Sequence, residues 1–225
     1  MHIPDGFVSG GVNAAAGAVS LAVCGLALAR AEKTLGDRQV PLLGVTAAFV
    51  FAAQMLNFPV AGGTSGHFLG ALLAAVLLGP LNACLVLAVV LAIQCLGFAD
   101  GGITALGTNI FNMGIAGGMG GYCVFRLLLL ILPRNRAAFL AAAAAAAWLS
   151  VVLAALCCAL ELGASGTSPF ALAVPAMCGV HAVTGIGEAV ITAVVLSTVL
   201  AARPDLVGAW RPPDAARLPE ALANG

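Results

Sequence analysis

Residues 39–99 read QVPLLGVTAAFVFAAQMLNFPVAGGTSGHFLGALLAAVLLGPLNACLVLAVVLAIQCLGFA, without a single Lys, Arg, Asp or Glu. One helix crosses the hydrocarbon of a bilayer in about 20 apolar residues. A charge-free run of this length must therefore cross several times, and Pro and Gly mark its breaks. Proline is tolerated at the first position of a helix, where its missing N–H would have no partner, so the step Gly79-Pro80 divides two helices. Working outward, helices are predicted near 11–30, 40–59, 67–79, 80–97, 105–132, 137–162 and 170–201. The fold expected is an all-α membrane protein, a single bundle of about seven transmembrane helices.

Composition agrees. Of 225 residues, 62% are hydrophobic and 8% charged, with a mean hydropathy of +1.10, against about 45–50% apolar and about 25% charged in a soluble domain. A water-soluble globule is excluded. Seven spans would take roughly 140 residues, which leaves no room for a second soluble domain. The expected division is a transmembrane domain over 1–202 and a cytoplasmic tail over 203–225, the latter with four prolines and no core of its own. Nine basic residues balance nine acidic ones, so no field suited to nucleic acid exists.

The basic residues serve instead as topology markers. With an odd number of spans and the N-terminus outside, the inner connections hold Arg30, Lys33 and Arg38, then Arg134 and Arg136, then Arg203, Arg211 and Arg217. The outer connections, 61–66, 98–104 and 163–169, hold none. N-terminus outside and C-terminus in the cytoplasm is the expected orientation. On helix 11–30, Ala14, Ala18 and Ala22 form a small-residue stripe on which another helix could dock closely. The seven cysteines lie in apolar stretches without C-x-x-C spacing and read as small hydrophobes.

Phosphate-loop, H-E-x-x-H and G-x-S-x-G motifs are all missing, and Lys33 is the one lysine. An enzyme is not expected. The chemistry is sought in three histidines, His2, His67 and His181. MHIPDGF lacks the basic and apolar regions of a cleavable signal, so Met1 is expected to stay the first residue. Its α-amine, the His2 amide nitrogen and His2 Nδ1 can then bind one ion, closing a five-membered and a six-membered ring nearly in one plane. Ni(II), Cu(II) and Co(II) are candidates for such nitrogen coordination, with one in-plane position left. His67, after the Gly62-Gly63-Thr64-Ser65-Gly66 stretch and opening the helix predicted at 67–79, is the natural fourth ligand. From the residues alone, a terminal histidine without function and a polar group at a helix start remain the other reading.

His181, Gly185 and Glu188 follow i, i+4, i+7 spacing and share one helix face, a polar network that could support ligands or act as a structural pair. Gln54, Asn57, Asn109 and Asn112 read as polar residues that tie helices together. An alternative function, a self-sufficient gradient-driven carrier or channel, would use His181 and Glu188 as a proton-coupled pair. A membrane scaffold would use none of these residues.

The motifs MHIPDGF, Gln54-Met55-Leu56-Asn57-Phe58-Pro59-Val60 with Gly62 through His67, Leu106-Gly107-Thr108-Asn109 and His181 through Glu188 together resemble the CbiM/NikM family over roughly residues 1–202. Its members are the substrate-binding membrane subunits of energy-coupling-factor transporters for cobalt and nickel. The resemblance implies Ni(II) or Co(II) as transported substrate, held through Met1, His2 and His67, with no organic cofactor. It also implies a transmembrane coupling subunit, cytoplasmic ATPase subunits that supply the ATP hydrolysis, and a small two-helix membrane subunit, expected here as a separate polypeptide. The expected location is the cell (inner) membrane. Cobalt against nickel stays undecided, and neighbouring genes for cobalamin synthesis or a nickel enzyme would bear on it.

Overall fold

The computed structural model describes residues 1–36, 39–56, 58–60 and 64–211, and in it apolar helices follow one another almost without interruption. They are α1 (Gly10–Thr34), α2 (Gln39–Gln54), α3 (Ala71–Leu78), α4 (Pro80–Phe98), α5 (Leu106–Ile110), α6 (Gly121–Ile131), α7 (Arg136–Ala164) and α8 (Phe170–Ala202). A π-helical stretch, Phe111–Gly120, joins α5 to α6 in one continuous span. Among the described residues five segments are long and apolar enough to cross a membrane: Gly10–Lys33, Pro80–Phe98, Leu106–Ile131, Arg136–Ala164 and Phe170–Ala202. The chain is a multi-pass membrane protein, and its described residues are helical but for one short hairpin.

That hairpin corrects two predicted boundaries. The helix expected to reach residue 59 stops at Gln54, and the one expected from 67 starts at Ala71. Between them β1 (Phe58–Val60) pairs antiparallel with β2 (Thr64–Gly66). Hydropathy is blind to the difference, because a short apolar run reads alike as strand or helix. Gly70 then turns the chain into α3 at φ +70°, where a Cβ would lie 2.9 Å from both Phe68 Cε1 and Val50 Cγ2. His67 consequently precedes the helix instead of opening it. The break at Gly79-Pro80 falls where expected, with Gly79 at φ +84° and Pro80 starting α4.

Small residues set the packing, as they do where lipid offers no hydrophobic drive between helices. Ala142, Ala143, Ala146, Ala147, Ala154 and Ala155 of α7 are all buried. The π-helical span threads between neighbours on its glycines: a Cβ on Gly117 would lie 2.9 Å from Leu69 Cδ2, and one on Gly121 2.8 Å from Ser150 Cβ. On α8 the buried residues Ala173, Met177, His181, Gly185, Glu188, Thr192, Leu196 and Leu200 make a single inward stripe, so His181 and Glu188 do share a face. Gly185, however, clears space for Trp148, whose indole N–H donates to Ala182 O at 2.8 Å.

One core cluster gathers Met1, Ile3 and Val8 with residues of α3, α4 and α7, and the other gathers Phe125, Phe139, Leu196 and Val207. Residues 203–211, expected as part of a tail, lie against the bundle: the Gly208 and Ala209 amides donate to Leu77 O and Val76 O, and Trp210 meets Phe139 edge-on at 4.9 Å. The rest of that tail, from 212 on, lies outside the described residues, as do Asn57 and Gly62-Gly63. All seven cysteines are unbridged; Cys84, Cys95 and Cys158 are buried, while Cys123 is exposed.

Candidate metal centre

The first residues of the chain are drawn into the bundle. Met1 and Ile3 are wholly buried and His2 is 3% exposed. Ile3 is held on both sides of its peptide: its N–H donates to Asn109 Oδ1 at 2.8 Å, while its carbonyl accepts from Asn109 Nδ2 at 3.2 Å and from Gly102 N at 2.8 Å. Asp5 accepts from Ile103 N, Thr104 N and the Thr104 hydroxyl. Thr167 donates to Phe7 O and Ser9 N to Ser165 Oγ. Gly102 makes this possible, since a Cβ there would lie 2.3 Å from Asp5 N. Asn109, read from sequence as a helix tie, clamps the N-terminal segment to α5.

This docking brings His2 against His67, their ring centroids 4.6 Å apart. His2 Nε2 meets Gln94 Oε1 at 3.0 Å and so donates, which leaves the lone pair on Nδ1. His67 Nδ1 donates to Phe68 O at 2.7 Å, which leaves the lone pair on Nε2. His2 Nδ1 and His67 Nε2 are both buried and have no hydrogen-bond partner. Asp100 Oδ1 stands 3.5 Å from His2 Nδ1. Both lone pairs are thus buried and unsatisfied by any protein group.

Their proton affinities follow from burial. The Met1 ammonium, out of water, is driven from 8.0 down to about 5, with Cys158 and Asp100 opposing the change. His2 falls from 6.5 to about 4, first by burial and then by the adjacent amine, against Asp100 and Gln94. Burial, the amine and His2 together push His67 well below 6.5. At pH 7 the amine and both imidazoles are neutral, the form in which nitrogen binds a metal ion. Among the described residues no three His, Cys, Asp or Glu side chains gather as a metal cluster, so a centre here has to recruit backbone nitrogen.

Gln54 and Glu188 act one layer further out. Gln54 Nε2 donates to Leu69 O at 2.7 Å, and the Glu188 carboxyl accepts from Leu69 N at 2.7 Å and Gly70 N at 2.8 Å. Both backbone groups of Leu69 are held by side chains, two residues after His67. His181, whose Nδ1 meets Met177 O at 2.8 Å, is near enough to His67 to act on its charge. Asn112 donates to Glu161. Ala14, Ala18 and Ala22 are exposed on the outside of α1, away from all of this. Sequence reasoning missed Gln94, Asp100 and Gly102. A glutamine inside a charge-free helix was a usable signal.

The model of the cobalt uptake substrate-specific transmembrane region matches residues 2–206. A putative fused nickel transport protein of Archaeoglobus fulgidus is 46% identical over 92% of this chain and 68% of its own length. The cobalt transport protein CbiM of Sorangium cellulosum is 35% identical over 92% of this chain and 94% of its own. The crystal structure of a truncated transition metal transporter superposes with a TM-score of 0.82 at 37% identity, covering 89% of this chain and 99% of that one. With a buried nitrogen-rich centre on a helical membrane scaffold, and with these matches along nearly its whole length, the chain belongs to the CbiM family of cobalt uptake transmembrane proteins.

Proposed function

We propose that this chain captures Ni(II) or Co(II) at the outer face of the cell membrane, as the substrate-binding subunit of an ATP-driven energy-coupling-factor importer. The observation that carries the reading is the meeting of His2 and His67, with His2 Nδ1 and His67 Nε2 buried and unpartnered beside the buried Met1 amine. The Met1 amine, the His2 amide and His2 Nδ1 supply three nitrogens of a chelate, and His67 Nε2 the fourth. The two buried imidazole lone pairs without donors are costly unless something electron-poor sits between them, and a divalent transition ion fits.

The rest of the machine is read from the family: ATPase partners and a transmembrane coupling subunit supply the work, with a small two-helix membrane subunit. The distribution of Lys and Arg supports the N-terminus outside and the C-terminus in the cytoplasm, in about seven crossings with α2 and α3 as the short ones. The exposed Ala14, Ala18 and Ala22 stripe is the docking face for the coupling subunit.

The deciding experiment is the metal content of purified full chain after exposure to Ni(II) or Co(II). One ion per chain is expected, and its loss on acetylation of Met1 or on addition of one residue before it. A blocked chain that still retains one tightly held ion overturns the chelate. Uptake by liposomes holding this chain alone would overturn the ATP-driven reading in favour of a gradient-driven carrier.

A further inference from the structure

The bundle leaves a gap at the end away from His2 and His67. Helix α2 is buried at Thr46, Val50 and Gln54 alone, so none of its residues 39–45 reaches the core. Beside these first turns lies a cleft of about 800 Å³, lined by Leu42 and Val45 of α2, by Leu77 and Leu78 at the end of α3, and by Arg203 and Asp205 just past α8. The backbone holds it open. The Gly208 and Ala209 amides donate to Leu77 O and Val76 O, and a Cβ on Gly208 would lie 2.8 Å from Leu77 O, so the C-terminal segment is pinned to α3 and cannot shift to fill the space beside α2.

Size and position narrow the occupant. The 33 residues of α8 rise about 50 Å, more than the about 40–45 Å of a bilayer with its headgroups. Arg203 at its end therefore stands at headgroup level, with the cleft's leucines on the hydrocarbon side. A helix about 10 Å across fills 800 Å³ in about two turns, too few for a membrane-crossing helix of another subunit, while a single small ligand takes about 300–1,000 Å³. Charge narrows it further. Arg203 Nε and Nη2 donate to Asp205 Oδ1 and Oδ2 at 2.9 and 2.7 Å, which holds the Asp205 carboxyl below its usual range. Both side chains are exposed, and an exposed pair binds weakly enough to share its charges with a ligand. A wholly anionic headgroup would meet the carboxylate and a wholly cationic one the guanidinium, whereas a phosphate joined to an ammonium complements both. A primary ammonium also brings three N–H donors; a quaternary one brings none.

We propose that this cleft holds one phospholipid whose headgroup joins a phosphate to a primary ammonium, with the phosphate on Arg203, the ammonium on Asp205 and an acyl chain along Leu42, Val45 and Leu78. The lipid packs the inner end of α2 against the bundle. The test uses the purified full chain, delipidated in detergent and offered equal amounts of dioleoyl phosphatidylethanolamine, phosphatidylcholine and phosphatidylglycerol, with bound lipid counted by native mass spectrometry. One phosphatidylethanolamine per chain is expected, favoured about fivefold over either of the others, together with a higher thermal midpoint than that of the lipid-free chain. Asp205→Asn should bring phosphatidylethanolamine down to the level of phosphatidylcholine, Arg203→Gln should weaken all three, and Leu42→Trp, which fills the cleft, should abolish retention. Wild type that retains no lipid, retains the three equally or prefers phosphatidylglycerol overturns the proposal whether or not the variants fold. So does undiminished lipid retention in a folded Leu42→Trp, and if that variant instead loses co-purification of the coupling subunit, the cleft belongs to that partner.

Discussion

Gln94 determines which nitrogen His2 offers. With Gln94 Oε1 accepting from Nε2–H, the lone pair sits on Nδ1, the one ring nitrogen that can close a six-membered ring with the residue's own amide. Gln94→Leu removes the acceptor and lets the proton move to Nδ1. Metal affinity should fall about 10- to 100-fold with unchanged helix content by circular dichroism, and Gln94→Glu, which keeps an acceptor, should recover most of it. Competition with a chromophoric chelator measures both. The pH dependence has two regimes. Above about pH 5, where the amine and His2 are already unprotonated in the folded chain, only the His2 amide proton is released on binding, so affinity should rise about tenfold per pH unit. Below it, amine and imidazole protons compete and the fall steepens. In the metal-free chain the sign is the same: the docked amine titrates at about 5 against 8.0 when free. Docking is therefore strongest above pH 8 and weakens as the pH falls from 8 toward 5, which amide hydrogen exchange at Ile3 would follow.

Elements, more than side chains, create the centre, and this is where the sequence was only partly legible. The charge-free run and the Gly79-Pro80 break read directly as helices, because length and punctuation suffice for them. The pairing of β1 with β2 did not, since hydropathy cannot separate a short apolar strand from a helix. His2 and His67 were legible because the chemistry of an N-terminal histidine is local. Gln94 was not, because it lies 92 positions from His2 and only folding brings the two together. The spacing puts Glu188 on the right helix face, in a ligand-supporting network or a pair with His181; what spacing cannot show is that its oxygens accept from the Leu69 and Gly70 amides. Two predictions follow from these elements. Gly102→Ala drives a Cβ to within 2.5 Å of Asp5 Oδ1, so the N-terminal segment should undock and stoichiometric metal binding should be lost while the helices remain. Glu188→Ala leaves two buried amides unsatisfied at about 1–3 kcal/mol each, and should lower the thermal midpoint and loosen His67; Glu188→Gln, which keeps one acceptor oxygen, should lose roughly half as much.

For the molecule as a whole, the question is how an ion bound in a closed centre reaches the other side, and α1 carries the answer proposed here. This helix has two faces of different kinds. Ala16, Ser20, Ala27 and Ala31 are buried, Ser20 donating to Gly107 O at 2.7 Å, and an ideal Cβ on Gly107 would lie 2.6 Å from Gly17 Cα. Ala14, Ala18 and Ala22 point the other way and are exposed. A long helix with so little of itself buried, whose outer surface carries the Ala14, Ala18 and Ala22 stripe between exposed Leu21, Leu26 and Leu28, offers another helix a groove for close approach. Filling the outer stripe should therefore separate capture from transport. Ala18→Leu is expected to leave metal stoichiometry and thermal midpoint unchanged while abolishing co-purification of the coupling subunit and uptake by the reconstituted complex. Gly107→Leu, aimed at the inner face, should do the opposite, lowering the midpoint and metal binding together. If Ala18→Leu supports full uptake, the coupling subunit docks elsewhere and the outward alanines serve only to thin the helix.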